Sequence, residues 1–245
     1  KCRAAIFNHS THTIGAVKPG VRSPSFYGLA AQELEKESGG VFCFLEGASG
    51  STHNLGLAAP EALHRIKNAV SEGVVRGQAR PVNRLAALKR PFEFTVREFD
   101  ETVEERKVVE YCRKRMAAAH ADSTAEVFRA QRKLLARLRG AKRTTWLQVA
   151  LVGDVAIVGV PAEFFTKLGQ DIKRLSPFRY TYVAELANDW IGYIPDEEGH
   201  RLGGYQTWTG LHSFAASGTG ERIVAETVRM LHELHAEAPP AAFKR

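Results

Sequence analysis

The sequence predicts an α/β fold in which mixed β-sheets are covered by helices and a basic helical arm is set into the middle of the chain. Three observations predict it. Short apolar runs of strand length alternate with amphipathic helical stretches, residues 147–160 read as a tight hairpin, and positive charge collects between residues 76 and 143.

Arg3-Ala4-Ala5-Ile6-Phe7 reads as an apolar strand over 3–8, directly after Lys1, as though the chain began partway through a domain. A helix is expected over 26–38, a strand over 41–45, a helix over 60–73 and a strand over 92–98. Within the basic region Val109, Cys112 and Met116 recur at i, i+3, i+7, and Phe128, Gln131, Leu135 and Leu138 continue a helical stripe, so two helices are expected over about 101–120 and 123–139. Asp122 or Ser123 suits the N-cap of the second, and Gly140 suits its stop. Leu147 to Leu151 and Val155 to Val160 flank Gly153-Asp154 as two buried strands of a hairpin. Pro161 then opens a helix over 162–175, where its missing N–H is harmless. A strand over 180–186 and a helix over 219–237 complete the pattern. With no repeat, low-complexity tract or linker, residues 1–245 read as one domain, the C-terminal larger part of a longer one, with its helical arm at about 101–140.

A chain of 245 residues that is 44% hydrophobic buries a sizeable core without disulfides or structural metals. The net charge of +7 is regional: residues 76–143 hold 18 Lys/Arg against 9 Asp/Glu, and the remainder is slightly acidic. This excess reads as the solvated face of amphipathic helices. No RNP, zinc-finger or helix-turn-helix signature accompanies it and stacking aromatics are scarce there, so no nucleic-acid partner is expected. Three cysteines, Cys2, Cys43 and Cys112, form neither a disulfide framework nor a CxxC module, which favours a reducing compartment such as the cytoplasm. No apolar run approaches the ~20 residues of a membrane span.

Four stretches carry polar residues that a plain structural segment does not require. Asn8-His9-Ser10-Thr11-His12-Thr13-Ile14-Gly15 follows the opening strand, and strand ends of α/β sheets display catalytic side chains. Two histidines three apart on non-helical backbone need not share a face, so either metal ligation or a hydrogen-bonded structural role fits His9. Glu46-Gly47-Ala48-Ser49-Gly50-Ser51-Thr52-His53-Asn54 is a small-residue turn after an apolar strand. Its backbone N–H groups suit an oxyanion, yet it lacks the GxSxG spacing, and a plain connecting loop fits as well. Val160-Pro161-Ala162-Glu163 places a carboxylate at an expected helix N-terminus, where the helix dipole favours an acid whatever its function. Asn188-Asp189-Trp190-Ile191-Gly192-Tyr193-Ile194-Pro195, followed by Gly203-Gly204-Tyr205, sets tyrosines beside glycines.

In this order along the chain, the four stretches resemble the neutral, non-lysosomal ceramidases, a family of zinc-dependent amidohydrolases. His9-Ser10-Thr11 is similar to the family's second zinc histidine and the residues after it. Val158-Gly159-Val160-Pro161-Ala162-Glu163-Phe164 resembles the strand, proline and zinc-ligand glutamate, Gly192-Tyr193-Ile194-Pro195 the tyrosine ligand, and Gly203-Gly204-Tyr205 a later active-site tyrosine. Tyr27 to Glu35, Gln148 to Asp154 and Gly218-Thr219-Gly220-Glu221 agree as well. The resemblance implies a ceramidase-like catalytic domain that hydrolyses an amide with zinc held by His9, Glu163 and Tyr193, and with Tyr205 donating to the oxyanion.

The departures shape what is expected. The family's first zinc histidine lies N-terminal to anything in this chain, which leaves a fourth ligand to a second chain carrying that segment, or to His12 or His53. The family's Gly-Asp-x-Ser-Pro-Asn motif is replaced: with Gly50 in register, Ser51 takes the aspartate position and His53 the serine position, whereas registering on Asn54 puts Thr52 there. His53 is then the candidate general acid/base, and His12, Gly50 and Thr52 the candidate substrate-binding residues. No immunoglobulin-like domain follows Ala238 to Arg245, and no membrane-binding apolar helix is evident, so a small-molecule amide substrate is favoured over a bilayer lipid. Esters or lactones would meet the same carbonyl chemistry. A different class is a non-catalytic half-domain that completes a partner's site, and an oligomer is compatible with either.

Overall fold

The computed structural model describes residues 2–13 and 20–237. Lys1, Ile14 and Gly15 of the first polar stretch, and the tail from Ala238 to Arg245 lie outside the described residues. The described chain is α/β, with seven helices and mixed sheets.

β1 (Ala4–His9) and β2 (Val41–Glu46) pair in parallel, from Ala4 opposite Val41 to His9 opposite Glu46. The connection between them is α1 (Ser25–Ser38), whose Phe26, Tyr27, Ala30, Ala31 and Leu34 recur at helical spacing and are buried, and Gly39 ends it in a left-handed C-cap. α2 (Ala59–Arg76) packs on α1 and carries a proline in its first turn.

The larger sheet has the order β3-β4-β5-β7. β3 (Leu85–Thr95) and β4 (Lys142–Val152) are antiparallel along their whole length, and β4 turns at Gly153-Asp154 into β5 (Val155–Gly159), as the sequence predicts. β5 runs parallel to β7 (Tyr180–Ala184). Strand alternation sends Phe92, Phe94, Leu147, Val149, Leu151, Ala156, Val158 and Val183 to one face, where α5 (Thr166–Leu175) and α7 (Thr219–Ala236) cover them. α7 contributes Ile223, Val224, Met230, Leu231 and Leu234, and each such side chain adds roughly 1.5–3 kcal/mol by leaving water. On the opposite face Trp146, Val152 and Tyr182 stay about two-fifths exposed.

Between β3 and β4 the chain forms the arm, α3 (Glu101–Arg115) against α4 (Ala118–Leu135). Asp100 caps α3 by accepting from Val103 N, a contact of about 1 kcal/mol. α4 starts earlier than the Asp122 or Ser123 cap predicts, with Ala117 at its N-cap. Inside the arm Arg132, fully buried, reaches Glu101 and Glu105, so one of the basic residues is internal rather than solvated.

Two short strands depart from the expected elements. Glu163–Phe164 is β6, paired in parallel with β8 (Tyr193–Ile194), and the helix expected from residue 162 begins only at Thr166. Glu163 is therefore no helix cap. Pro161 and an acid imitate a helix start, but Glu163 N donates to Gly192 O (3.1 Å) from a segment 29 residues on, a pairing that local patterning does not contain. A short α6 (Glu197–Leu202) and a 3-10 turn at Tyr205–Thr207 precede α7. Among the described residues, no helix is long and apolar enough to cross a membrane.

Candidate metal centre

The carboxyl ends of β1, β2, β5 and β7 meet where the two parallel pairs come together, the place at which open α/β sheets leave a crevice. Asn8 fastens this junction: its Nδ2 donates to Leu45 O and Val183 O, both at 2.8 Å, and Glu185 N donates to Glu46 O (2.9 Å). The loops after β1 and β2, β6, the segment after β7, and β8 all open into the crevice.

His12, Glu163 and Tyr193 converge there. His12 Nε2 lies 3.7 Å from Glu163 Oε2, and the His12 ring stacks at 6.3 Å on Tyr193. Glu163 and Tyr193 are register partners of the β6–β8 ladder, and the Glu163 carboxylate acts on the Tyr193 hydroxyl. Burial, then that carboxylate, raises the Tyr193 hydroxyl well above the ordinary phenol range. Trp190 Nε1 donates to the other oxygen, Glu163 Oε1 (3.2 Å). The loop carrying Trp190 is tightly wound: Leu186 and Asn188 take positive φ (55° and 71°), and Leu186, Ala187 and Ile191 donate to the carbonyls of Ala162, Val160 and Pro161. Strain of this kind is held only where the surroundings over-determine it.

Behind His12 stands a polar set in which Glu46 and Ser49, from the second polar stretch, meet Glu185, which lies outside all four stretches. Ser49 Oγ donates to Glu185 Oε1 (2.6 Å), with Glu46 Oε1 at 3.1 Å and His12 Nδ1 at 3.4 Å. With the hydroxyl proton on Glu185, Ser49 Oγ is left to accept from His12 Nδ1–H, so the lone pair of Nε2 faces Glu163. Glu185 also accepts from Ser49 N and Phe164 N, both at 2.9 Å. Burial outweighs those bonds and pushes Glu185 up to about 7, with Glu46 adding to the rise. Burial raises Glu46 as well. His12, Glu46 and Glu185 bring ligand atoms within 4.8 Å of one another, an imidazole and two carboxylates, and Glu163 and Tyr193 adjoin the same imidazole ring. That donor set fits zinc. Nothing in a single sequence marks Glu185, and Glu46 is marked only as the first residue of a polar stretch; each is an acid at the end of an apolar strand.

Tyr205 meets Tyr193 edge-on at 5.9 Å and stacks at 4.7 Å on His212, a further residue absent from the sequence reading. Burial, then Glu163, raises the Tyr205 phenol, which keeps it a donor at neutral pH. His212 Nε2 lies 2.9 Å from Tyr205 O, its Nδ1 is buried with no hydrogen-bond partner among the described residues, and burial lowers its pKa. Gly192 holds this side together at φ 81°, because a Cβ there would lie 2.4 Å from His212 O.

His9 is elsewhere. Its Nδ1 is 2.6 Å from the Tyr27 hydroxyl, which donates on to Thr11 O (3.1 Å), and burial, then Lys173, lowers its pKa. It lines a mostly apolar groove with Ile66, Val70 and Ile157. β1 ends at His9, and the irregular backbone after it carries His12 across to Glu163. Gly50 N donates to Phe164 O (2.9 Å), and a Cβ on Gly50 would meet Glu163 O at 2.5 Å, so this glycine lets the β2 loop close on β6. Thr52 Oγ1 is engaged with Ser10 O and Ser49 O, both at 3.0 Å, while His53 is exposed.

Fold and crevice together define a class: an α/β protein of mixed sheets with a histidine, carboxylates and tyrosines gathered at the carboxyl ends of its parallel strands. Solved structures of two ceramidases share the fold. The chain superposes on neutral ceramidase from Pseudomonas aeruginosa with a TM-score of 0.65 over 96% of its length at 16% identity, and on a ceramidase complexed with C2 with a TM-score of 0.65 over 96% at 15% identity. It spans 45% and 46% of those chains, less than half of either. No family model and no curated protein matches the sequence.

Proposed function

We propose that this chain carries the catalytic crevice of a zinc-dependent hydrolase that cleaves an amide bond in a small molecule, with His12, Glu163 and Tyr193 as its ligands to the metal. The observation that carries the reading is the convergence of these three side chains, from three separate segments, on one point of a ceramidase-like fold. His12 takes the place that the resemblance gave to His9, because its Nε2 rather than any atom of His9 is beside Glu163.

Zinc supplies, when bound, a Lewis acid for the amide carbonyl and brings the pKa of its water from ~15.7 to ~7. The chain's own residues do the rest. Ser49 and Glu185 fix the tautomer of His12. Trp190 holds one oxygen of Glu163, leaving the other for the ion. Tyr205 stays protonated and donates to the oxygen that gains charge as the carbonyl becomes tetrahedral. Esters present the same carbonyl and remain the alternative substrate class. His53, Gly50 and Thr52 lie along the loop at the crevice's edge, and His53 keeps its proposed acid/base role only if a substrate reaches it.

The test is metal analysis with turnover. Purified protein is expected to hold close to one zinc, to lose hydrolysis of short N-acyl amides when stripped, and to regain both on adding zinc. Stripped protein that fails to take up zinc overturns the reading. A second reading has the chain supply one part of a site completed by a partner. Zinc uptake without turnover, with turnover restored by a copurifying polypeptide, distinguishes it.

A further inference from the structure

Arg97, just after β3, is a mostly buried cation with no counter-ion among the described residues. Its Nε donates to Ala215 O (3.0 Å), Nη1 to Thr207 O (2.8 Å) and Nη2 to Ser213 Oγ (3.1 Å), all neutral acceptors. A guanidinium has five N–H groups, so two are left without a protein acceptor among the described residues. Among those residues no carboxylate lies within 4 Å of it. Glu104 pulls on it only from farther off, and that glutamate is already engaged by Lys107 Nζ (2.7 Å) and Thr209 N (3.1 Å). A charge kept from water in this way is costly unless a counter-ion is supplied from outside.

Arg97 faces a cavity of about 400 Å³ between α3 and the segment that leads from α6 to Trp208. The lining carries five Lys and Arg side chains against three glutamates. Arg201 is paired with Glu198 and Arg115 lies 3.9 Å over the Tyr111 ring, whereas Lys114 has no partner among the described residues. His200 lies in the same wall, where burial first, then Arg97, hold its pKa at about 4. A site that keeps a histidine neutral and leaves two guanidinium N–H groups free is matched by a ligand with paired, negatively charged oxygens.

We propose that this cavity is an anion site, distinct from the metal centre, in which Arg97 is the anchoring cation and Lys114 a second, and that it takes a compact oxyanion such as a phosphate or carboxylate. Arg97 also holds Thr207 O and Ser213 Oγ, next to Tyr205 and His212, so an anion bound there acts on the segment that carries both. The oxyanion has two sources: an acidic substituent of the amide substrate, or a free anion that sets this segment.

The test follows the binding of inorganic phosphate to the intact protein by isothermal titration calorimetry, which leaves Trp208 in the cavity wall and Trp190 beside Glu163 unaltered. A saturable change is expected at constant ionic strength and is not reproduced by chloride. Arg97→Gln is expected to weaken it about tenfold, as loss of a charge-assisted pair requires. Lys114→Met, at an exposed position where folding is not at issue, is expected to weaken it about threefold. No saturable change up to about 50 mM phosphate overturns the proposal, and so does a titration that Lys114→Met leaves unchanged. The readout needs neither zinc nor turnover, so it stands or falls apart from the hydrolase reading. N-acetylglycine, which joins an amide to a carboxylate, is expected to displace phosphate. Tighter displacement on loading zinc identifies a substrate group spanning both sites, and equal displacement a free anion.

Discussion

Glu163 and Tyr193 are register partners in a parallel ladder two residues long, 30 positions apart in sequence, which sets the carboxylate beside the phenol. A ladder so short is held by what surrounds it: Glu163 N donates to Gly192 O, Tyr193 N to His212 O (2.7 Å), and Gly50 N to Phe164 O. The pair is rigid, which is what a metal ligand set requires. Glu163→Gln is expected to abolish tight zinc binding, and Tyr193→Phe, which removes one oxygen and little volume, to weaken it about 10–100-fold. Competition with a fluorescent chelator measures both, and unchanged affinity in Glu163→Gln would make that residue purely structural.

The two histidines after β1 are expected to separate cleanly. His12→Ala removes the imidazole beside Glu163 and is expected to lower zinc affinity by at least about 100-fold with little change in stability, since His12 is partly exposed. His9→Ala is expected to leave zinc affinity within about twofold and instead to cost about 1–2 kcal/mol of stability, because the Tyr27 hydroxyl loses its 2.6 Å partner. Zinc titration and urea unfolding of both variants decide it, and the opposite pattern would return the ligand role to His9.

What could be read from the sequence was whatever is local. The β4–β5 hairpin follows from Gly153-Asp154 between apolar runs, and α7 from its apolar spacing. β3 begins at Leu85 rather than 92, because Leu85-Ala86-Ala87-Leu88 alternates too weakly to mark a strand alone and becomes one by pairing with β4. β6 is misread as the start of a helix for the same reason, its partner β8 lying far along the chain. In the site, Glu163, Tyr193 and Tyr205 were legible through a resemblance carried by short motifs, and the crevice gathers all three. The resemblance points to His9 through the short His9-Ser10-Thr11 match, and spacing alone does not say which of His9 and His12 faces Glu163; the structure sets His12 there. Glu46, Ser49 and Glu185 become a unit only when β2 and β7 meet, at Glu185 N to Glu46 O.

Two glycines are expected to be irreplaceable. A methyl on Gly50 would lie 2.5 Å from Glu163 O and 2.7 Å from its carbonyl carbon, both backbone, so the β2 loop or β6 must move. Gly50→Ala is expected to cost about 2–4 kcal/mol and to weaken zinc with it. Gly192→Ala meets His212 O at 2.4 Å and a φ of 81°, and is expected to be at least as severe. Urea midpoints check both, and wild-type stability in either variant would show that the contacts around Glu163 are loose.

His200 gives the fold a definite response to acid. Burial, then Arg97, lower its pKa from 6.5 to about 4, with Lys107 pushing the same way and Asp196 and Glu104 opposing. Between those values the unfolded chain binds a proton that the native chain does not, so stability rises with pH across that window and is lost on acidification from about 6.5 toward 4. The full shift corresponds to about 3 kcal/mol. Because His200 is only partly buried, solvent screening reduces the expected loss to about 1–2 kcal/mol. Urea unfolding at pH 4.5 and 7 measures it, with His200→Gln expected to remove that part of the difference. A bound phosphate beside Arg97 is expected to shrink it too, since a nearby anion favours the protonated imidazole. A pH difference that is the same in wild type and His200→Gln would show that acid acts on the fold elsewhere.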